Sequence, residues 1–173
     1  MTTRDPHIAT TRIIADAGGT LVGRTRLQKV AYLSQLAGFG DEFEFEYRHY
    51  GPFSEDLARG VDIATAFGQI VEVEKQAVWG GRYSVFSLKE SMGPSNPQRA
   101  LFIEQAKEVD AVELELAATA AFLFSVEKRP DPWDETRRRK PEKAASGRLE
   151  RAKTAYASLR ALSTPRALPA LPG

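Results

Sequence analysis

The clearest pattern in the chain is the strict alternation of charged and aromatic residues at positions 42–48, Glu-Phe-Glu-Phe-Glu-Tyr-Arg. A period of two places Phe43, Phe45 and Tyr47 on one face of a half-buried strand and leaves Glu42, Glu44 and Glu46 to water. On both sides the period becomes helical. Before the strand, Leu27, Val30, Ala31 and Leu33 define a helix that Gly38 stops, with Thr25 and Gln28 at the spacing of a capping box. This helix is expected to be central. After the strand, Gly51-Pro52 breaks the extended run and Ser54 is placed to cap a third helix. Glu55 and Asp56 suit the dipole of its first turn, and Leu57, Val61, Ala64 and Phe67 form its buried side before Gly68.

The remaining segments extend this order. Residues 7–17 predict a first helix with Ile8, Ile13 and Ile14 as its apolar contribution, ended by Gly18-Gly19. Two β-rich runs about Gly80-Gly81 predict a hairpin over 69–89, so the order helix, helix, helix, hairpin is that of a winged helix. The proline-containing stretch 91–98 reads as a joint. Beyond it, Leu101, Phe102, Ala106, Val109, Val112, Leu116, Ala120 and Leu123 predict one long helix with a single apolar face, which Pro130 and Pro132 close off. A last helix over 141–162 carries Leu149, Ala152, Tyr156 and Leu159 on one stripe, with Gly147 as a weak point. The expected fold is α+β and mainly helical. A winged-helix-like core with a small antiparallel sheet (1–90) is wrapped by two longer C-terminal helices (91–162) into one structural domain, and 163–173 form a flexible tail unless something docks them.

Composition narrows the chemistry. Cysteine is absent, which removes disulfides, thiolate catalysis and sulfur-ligated metals, and His7 and His49 are the only histidines. No metal or cofactor is expected. No apolar run approaches the roughly 20 residues that span a bilayer, and the first residues lack a leader-like hydrophobic segment, so the expected location is the cytoplasm without membrane contact. The net charge of +1 conceals an asymmetry. Residues 1–90 hold 10 Lys/Arg against 12 Asp/Glu, and residues 91–173 hold 14 against 11. The excess concentrates in 137–153, where eight basic residues accompany only Glu142 and Glu150.

His49 lies between Arg48 and Tyr50, yet no second histidine or nucleophile-plus-acid pattern accompanies it, so no catalytic residue is assigned and no enzyme is expected. The helix after Ser54 carries Glu55, Asp56 and Asp62 against Arg59 alone, which disfavours it as a reader of DNA. Gly80-Gly81 has no following helix and reads as a turn rather than a phosphate loop. Trp133, just ahead of Arg137, Arg138 and Arg139, could stack on a base, anchor a protein or close the core.

Two motifs carry a family resemblance. Leu27, Gln28, Lys29, Tyr32 and Leu33 on one helix, followed by the turn Tyr50, Gly51, Pro52, Phe53 and Ser54, resemble the Panacea (SocA-like antitoxin) domain superfamily, and within it the YwgA-like group of uncharacterised proteins. Lys140, Pro141 and Lys143 before the last helix resemble the end of such domains. The resemblance implies a non-enzymatic module that neutralises a partner protein such as a toxin, or hands it to protease machinery. Candidate partner-binding residues are Arg48, His49 and Tyr50 at the turn, and Trp133, Arg137, Arg138 and Arg139 in the late region. The alternative is a DNA-binding transcriptional regulator whose affinity comes from the basic late region. Strand 42–48 or the long helix could also pair two copies as a homodimer.

Overall fold

The computed structural model describes residues 5–173. It is α+β and mainly helical, with a three-stranded and a two-stranded antiparallel sheet among eight helices. The first half runs α1 (Pro6–Asp16), β1 (Thr20–Val22), α2 (Arg24–Leu36), β2 (Glu46–Arg48), β3 (Gly51–Phe53), α3 (Glu55–Ala66), β4 (Ile70–Gln76) and β5 (Arg82–Leu88). The second half is helical: α4 (Pro97–Lys107), α5 (Ala111–Ser125), α6 (Pro132–Arg139), α7 (Pro141–Ala144) and α8 (Arg148–Arg160).

The expected hairpin over 69–89 is β4–β5. A strand the pattern did not announce, β1, pairs with β5, giving the sheet order β1-β5-β4. Helix α2 is central as expected, with Leu27 through Ser34 all buried. Its start differs from the expected capping box. The helix begins at Arg24 behind Gly23 with no side-chain cap, and the Gln28 amide is instead used in a long-range contact described below. The Ser54 cap on α3 is present, its Oγ accepting from Leu57 N at 3.3 Å. Gly60 in the middle of α3 is required by packing, because a Cβ there would lie 2.2 Å from Thr10 Oγ1 and 2.5 Å from the Pro6 carbonyl of α1.

The alternating segment keeps its two faces but not its full ladder. Phe43 is buried, Phe45 and Tyr47 half-buried, and Glu42, Glu44 and Glu46 exposed. Only 46–48 form a strand, since the Gln35 amide takes both backbone groups of Phe43, at 2.7 and 3.1 Å, where a neighbouring strand would have bonded. Gly51-Pro52 does not end the sheet. It opens β3, which folds back on β2 with His49 and Tyr50 as the intervening loop.

The two late helical runs are each divided. Asp110 caps α5 by accepting from Val112 N and Glu113 N at 3.0 and 3.2 Å, and this cap separates α4 from α5. The break frees α5 to thread the centre of the molecule, where Leu114 through Leu123 are buried on every side rather than along one face. The second run breaks at Ser146 and Gly147, both in the left-handed region, between α7 and α8. Stretch 131–139, read as a terminator and charge run, forms α6, capped by Asp131. Three residues assigned to apolar faces, Ile8, Phe67 and Leu101, are exposed. The stripe Leu149, Ala152, Tyr156 and Leu159 is buried as expected.

One hydrophobic cluster runs from Ile13 to Leu168 and joins both halves. The joint at 91–98 is fastened by buried Asp16, which accepts from Ser95 N at 2.6 Å and pairs with Arg99 at 2.5 Å. The tail is docked. Arg166 N donates to the Ala37 carbonyl, Tyr156 Oη to that of Pro169 and Arg160 Nε to that of Leu168, and Leu168 itself is buried.

Candidate functional site

The candidate site is built where the β2–β3 hairpin meets α6 and α7. Gly51 sets the hairpin's position. Its φ of +90° favours glycine, and a Cβ there would stand 2.6 Å from Thr119 Oγ1 of α5, so the turn lies directly on the central helix. From below, α2 holds the hairpin's outgoing strand. Gln28 accepts from Ser54 N at 2.8 Å and donates to Ser54 O at 3.1 Å, and Lys29 Nζ donates to the Pro52 carbonyl at 2.7 Å. From the side, Lys140 Nζ donates to the His49 carbonyl at 2.8 Å.

These contacts converge on one buried carboxylate. Glu115 of α5 receives Lys140 Nζ at 3.1 Å and Lys143 Nζ at 2.7 Å, with Lys29 also within its field. Lys140 and Lys143 thus share one carboxylate, while Lys29 and Lys140 hold two backbone carbonyls and Lys29 feels the carboxylate only through its field. Burial pushes the Lys29 ammonium down to about 8; Glu115 opposes that shift, and Lys140 and Lys143 add to it. The three motifs that carried the family resemblance are therefore one assembly: Gln28 and Lys29 reach the Gly-Pro turn, and Lys140 and Lys143 reach the same turn and α5.

Above this base is an open groove of about 420 Å³ lined by Tyr47, His49, Arg139, Lys140, Pro141, Glu142 and Lys143. The Arg139 guanidinium stacks 4.8 Å from the Tyr47 ring, and Lys143 Nζ lies 4.6 Å from the Tyr50 ring. Tyr50 is 54% exposed, with the His49 ring edge-on at 4.9 Å.

The predicted contact residues separate into groups. His49 lines the groove with Arg139, and Tyr50 stands beside it against Lys143, as the chain order alone could not show. Arg48 turns the other way, ion-paired with Glu46 and Glu55 and stacked on Phe53 at 5.0 Å. Arg137 and Arg138 lie on the exposed side of α6. Trp133 is corrected: it is 4% exposed, edge-on to Tyr156, and belongs to the core rather than to a contact surface. An indole facing inward from the first turn of α6 fills space between α6 and α8.

The basic stretch is also corrected by its three-dimensional neighbours. Arg137 and Arg138 pair with Asp134, Arg139 with Glu127 and Glu135, and Lys140 and Lys143 with Glu115. Arg151 pairs with Glu113 and Lys153 with Glu150, while Arg148 donates to the carbonyls of Lys143 and Glu142. Most of these acids lie outside 137–153, so counting charge within the window overstated the patch.

Residue reasoning missed two features. Lys29 and Glu115 gave no local signal beyond a charge inside an apolar helical run, which for Glu115, between Leu114 and Leu116, is itself the available clue. The tip of the β4–β5 hairpin, Val78 and Trp79, is almost wholly exposed, Trp79 at 81%.

No protein-family profile matches the chain. It is similar to the uncharacterised protein YwgA of Bacillus subtilis (strain 168), 28% identical over 86 residues that cover 49% of this chain and 50% of that protein. The chain therefore spans about half the length of the curated relative it matches, and the likeness places it beside a YwgA-like group. Among the described residues, no helix is long and apolar enough to cross a membrane.

Proposed function

We propose that this chain is a non-catalytic, cytoplasmic protein-interaction module of the SocA-like antitoxin kind, which binds a partner protein such as a toxin and either neutralises it or presents it to protease machinery. The observation that carries the reading is the β2–β3 hairpin. Its tip raises Tyr50 and His49 into solvent beside a groove, while buried Gln28, Lys29 and Lys140 fix its base. A rigid aromatic anchor next to cations is the composition of a protein-binding hot spot, and a fixed base lowers the ordering entropy lost on binding.

The helix–strand–helix–helix–hairpin order, with β5 between β1 and β4, supports a winged-helix reading of the core. That reading would make α3 the helix entering DNA, but its first turn is acidic and it borders a second acidic surface formed by Glu44 and Glu46. The DNA-binding alternative relied on the basic late region, whose cations have intramolecular partners, and it is the weaker reading.

The test is co-purification from the native host after nuclease treatment in moderate salt, with bound proteins identified by mass spectrometry. A stoichiometric protein companion, reduced about tenfold by the pair Tyr50→Ala and Arg138→Ala, is the expected result. Retention of nucleic acid without any protein companion would overturn the reading in favour of the regulator.

A further inference from the structure

The β4–β5 hairpin leaves one edge of the three-stranded sheet open. We propose that β4 accepts an extended segment of a partner protein as an added strand, one in which apolar and cationic residues alternate. The inference rests on the reading that the chain binds a protein, and it names a second surface for doing so, remote in sequence from the Tyr50 hairpin.

The hydrogen-bond phase of the hairpin is fixed at its two ends. Lys89 N donates to Gln69 O at 3.1 Å and Ala77 N to Gly81 O at 2.7 Å, so residues 69, 71, 73, 75 and 77 are the ones bonded to β5. The N–H and C=O groups of Glu72, Glu74 and Gln76 consequently point away from β5. No hydrogen bond among the described residues reaches them. They form the template that strand addition uses.

The sheet face alongside that edge is uncovered and, apart from Lys75 opposite Tyr83, apolar. Val71 and Val73 are 41% and 47% exposed; Val73 is opposite Val85, which is itself opposite Val22, so three valines cross the sheet in one row. Tyr83 and, at the hairpin tip, Val78 and Trp79 extend the patch. The opposite face, with Leu21, Ile70 and Phe86, is part of the core. A contiguous exposed apolar area of this kind marks an interaction surface more often than a solvated one.

Charge selects the occupant. Glu72 is already held by Arg24 at 2.6 Å and by Ser84, and these hydrogen bonds keep its carboxyl below the usual range although burial pushes it up. Glu74 has only a long contact, 3.5 Å, with Arg82 and is 63% exposed, so it is available to a cation on an incoming strand. A second copy of this chain is disfavoured. When two β4 strands pair antiparallel about a two-fold axis, outward-facing residues must pair with outward-facing ones, and each such register that matches five or more residues of Ile70–Gln76 sets Glu72 or Glu74 against a glutamate of the other copy. Glu74, one of the acids that block self-pairing, therefore also favours a cationic segment, which gives specificity by repulsion as well as attraction.

The probe is a synthetic eight-residue peptide alternating Lys and Val, with a Glu-Val peptide of the same length as control, and the readout is amide hydrogen exchange of the full chain followed by NMR. We expect the amides of Glu72, Glu74 and Gln76 to exchange about tenfold more slowly with the Lys-Val peptide and unchanged with the Glu-Val peptide. Glu74→Pro, which removes an outward N–H but no bond of the β4–β5 ladder, and Glu74→Lys should each abolish the effect. Val71 and Val73 amides, protected throughout, report that the hairpin stays folded. Equal exchange with and without the Lys-Val peptide would overturn the proposal, as would protection of Glu74 that rises with protein concentration alone, the mark of a dimer. Either outcome leaves the proposed function standing if a companion protein still co-purifies, whereas loss of any companion from the wild-type chain counts against that broader reading.

Discussion

The two β-hairpins of this molecule are opposites in how they are held. The β2–β3 hairpin has three residues in each strand, too short to stand alone, and its place is set by Gln28, Lys29 and Lys140 bonding its backbone against α5. The β4–β5 hairpin has seven residues in each strand and a third strand beside it, and it reaches out of the molecule with its outer edge and tip bare. One is short and clamped by buried polar groups; the other is long and supported by its own ladder. A surface loop can thus be made rigid either by spending side chains from the core on it or by giving it enough strand to support itself. The first route ties the hairpin's surface to the integrity of the core, and the second leaves surface residues free to change.

Substitutions should expose that difference. The largest effect is expected from Glu115→Ala, which leaves Lys140 and Lys143 without their shared carboxylate and Lys29 without the charge that offsets its burial. Breaking a buried ion cluster in this way should lower stability by about 3–5 kcal/mol in urea unfolding. A loss below about 1 kcal/mol would mean the clamp is solvated rather than buried.

Next comes the pH dependence. Lys29 has a folded pKa of about 8, below its ordinary value of 10.5, so between these values the unfolded chain binds more protons and stability rises with pH. Burial raises the Tyr32 and Tyr156 pKa values, and their contribution is lost as pH climbs above the ordinary tyrosine value of 10, which confines the rise to lower pH. Wild type should gain about 1 kcal/mol between pH 8 and 10, a Lys29 contribution of about 2 kcal/mol offset in part by the two tyrosines, and Lys29→Met should remove the gain. An unchanged slope in the variant would assign the effect elsewhere.

Gln28→Ala removes both bonds to the Ser54 backbone and leaves a buried N–H unpaired. It should cost about 1–3 kcal/mol in the same unfolding assay and increase exchange at the Tyr50 turn. The smallest effect belongs to the other hairpin: Trp79→Ala should stay within about 0.5 kcal/mol of wild type by thermal or urea unfolding. A larger loss would show that the tip of the β4–β5 hairpin supports the fold and is not a free surface.

Much of this architecture can be read along the chain, where the physics is local. The Ser54 cap, the glycine that closes α2, the aromatic face of 43–47 and the β4–β5 hairpin all depend on neighbours within a few residues, and each is where its pattern places it. The misreadings share a different origin. Thr25 and Gln28 have capping-box spacing, but a buried amide is worth more opposite Ser54, so the tertiary contact decides. The run 98–126 carries helical periodicity across Asp110, and only the room for α5 inside the molecule makes the cap at that position a break. Of the candidate partner-binding residues, His49 and Tyr50 are exposed, as the flank of a Gly-Pro turn is expected to be. The placement of Trp133 was not legible, because an aromatic residue in a charged sequence looks the same facing in or out.

The sequence by itself determined the Ser54 cap, the glycine stop of α2, the alternating face of 43–47 and the β4–β5 turn, since these follow from backbone sterics and side-chain type within a few residues. Tertiary structure alone decided where charge resides. The cations of 137–153 find Glu113, Glu115, Glu127, Asp134 and Glu135 across space, and Lys29 meets Lys140 and Lys143 around one carboxylate. Electrostatic energy depends on distance and burial, and neither is a function of separation along the chain.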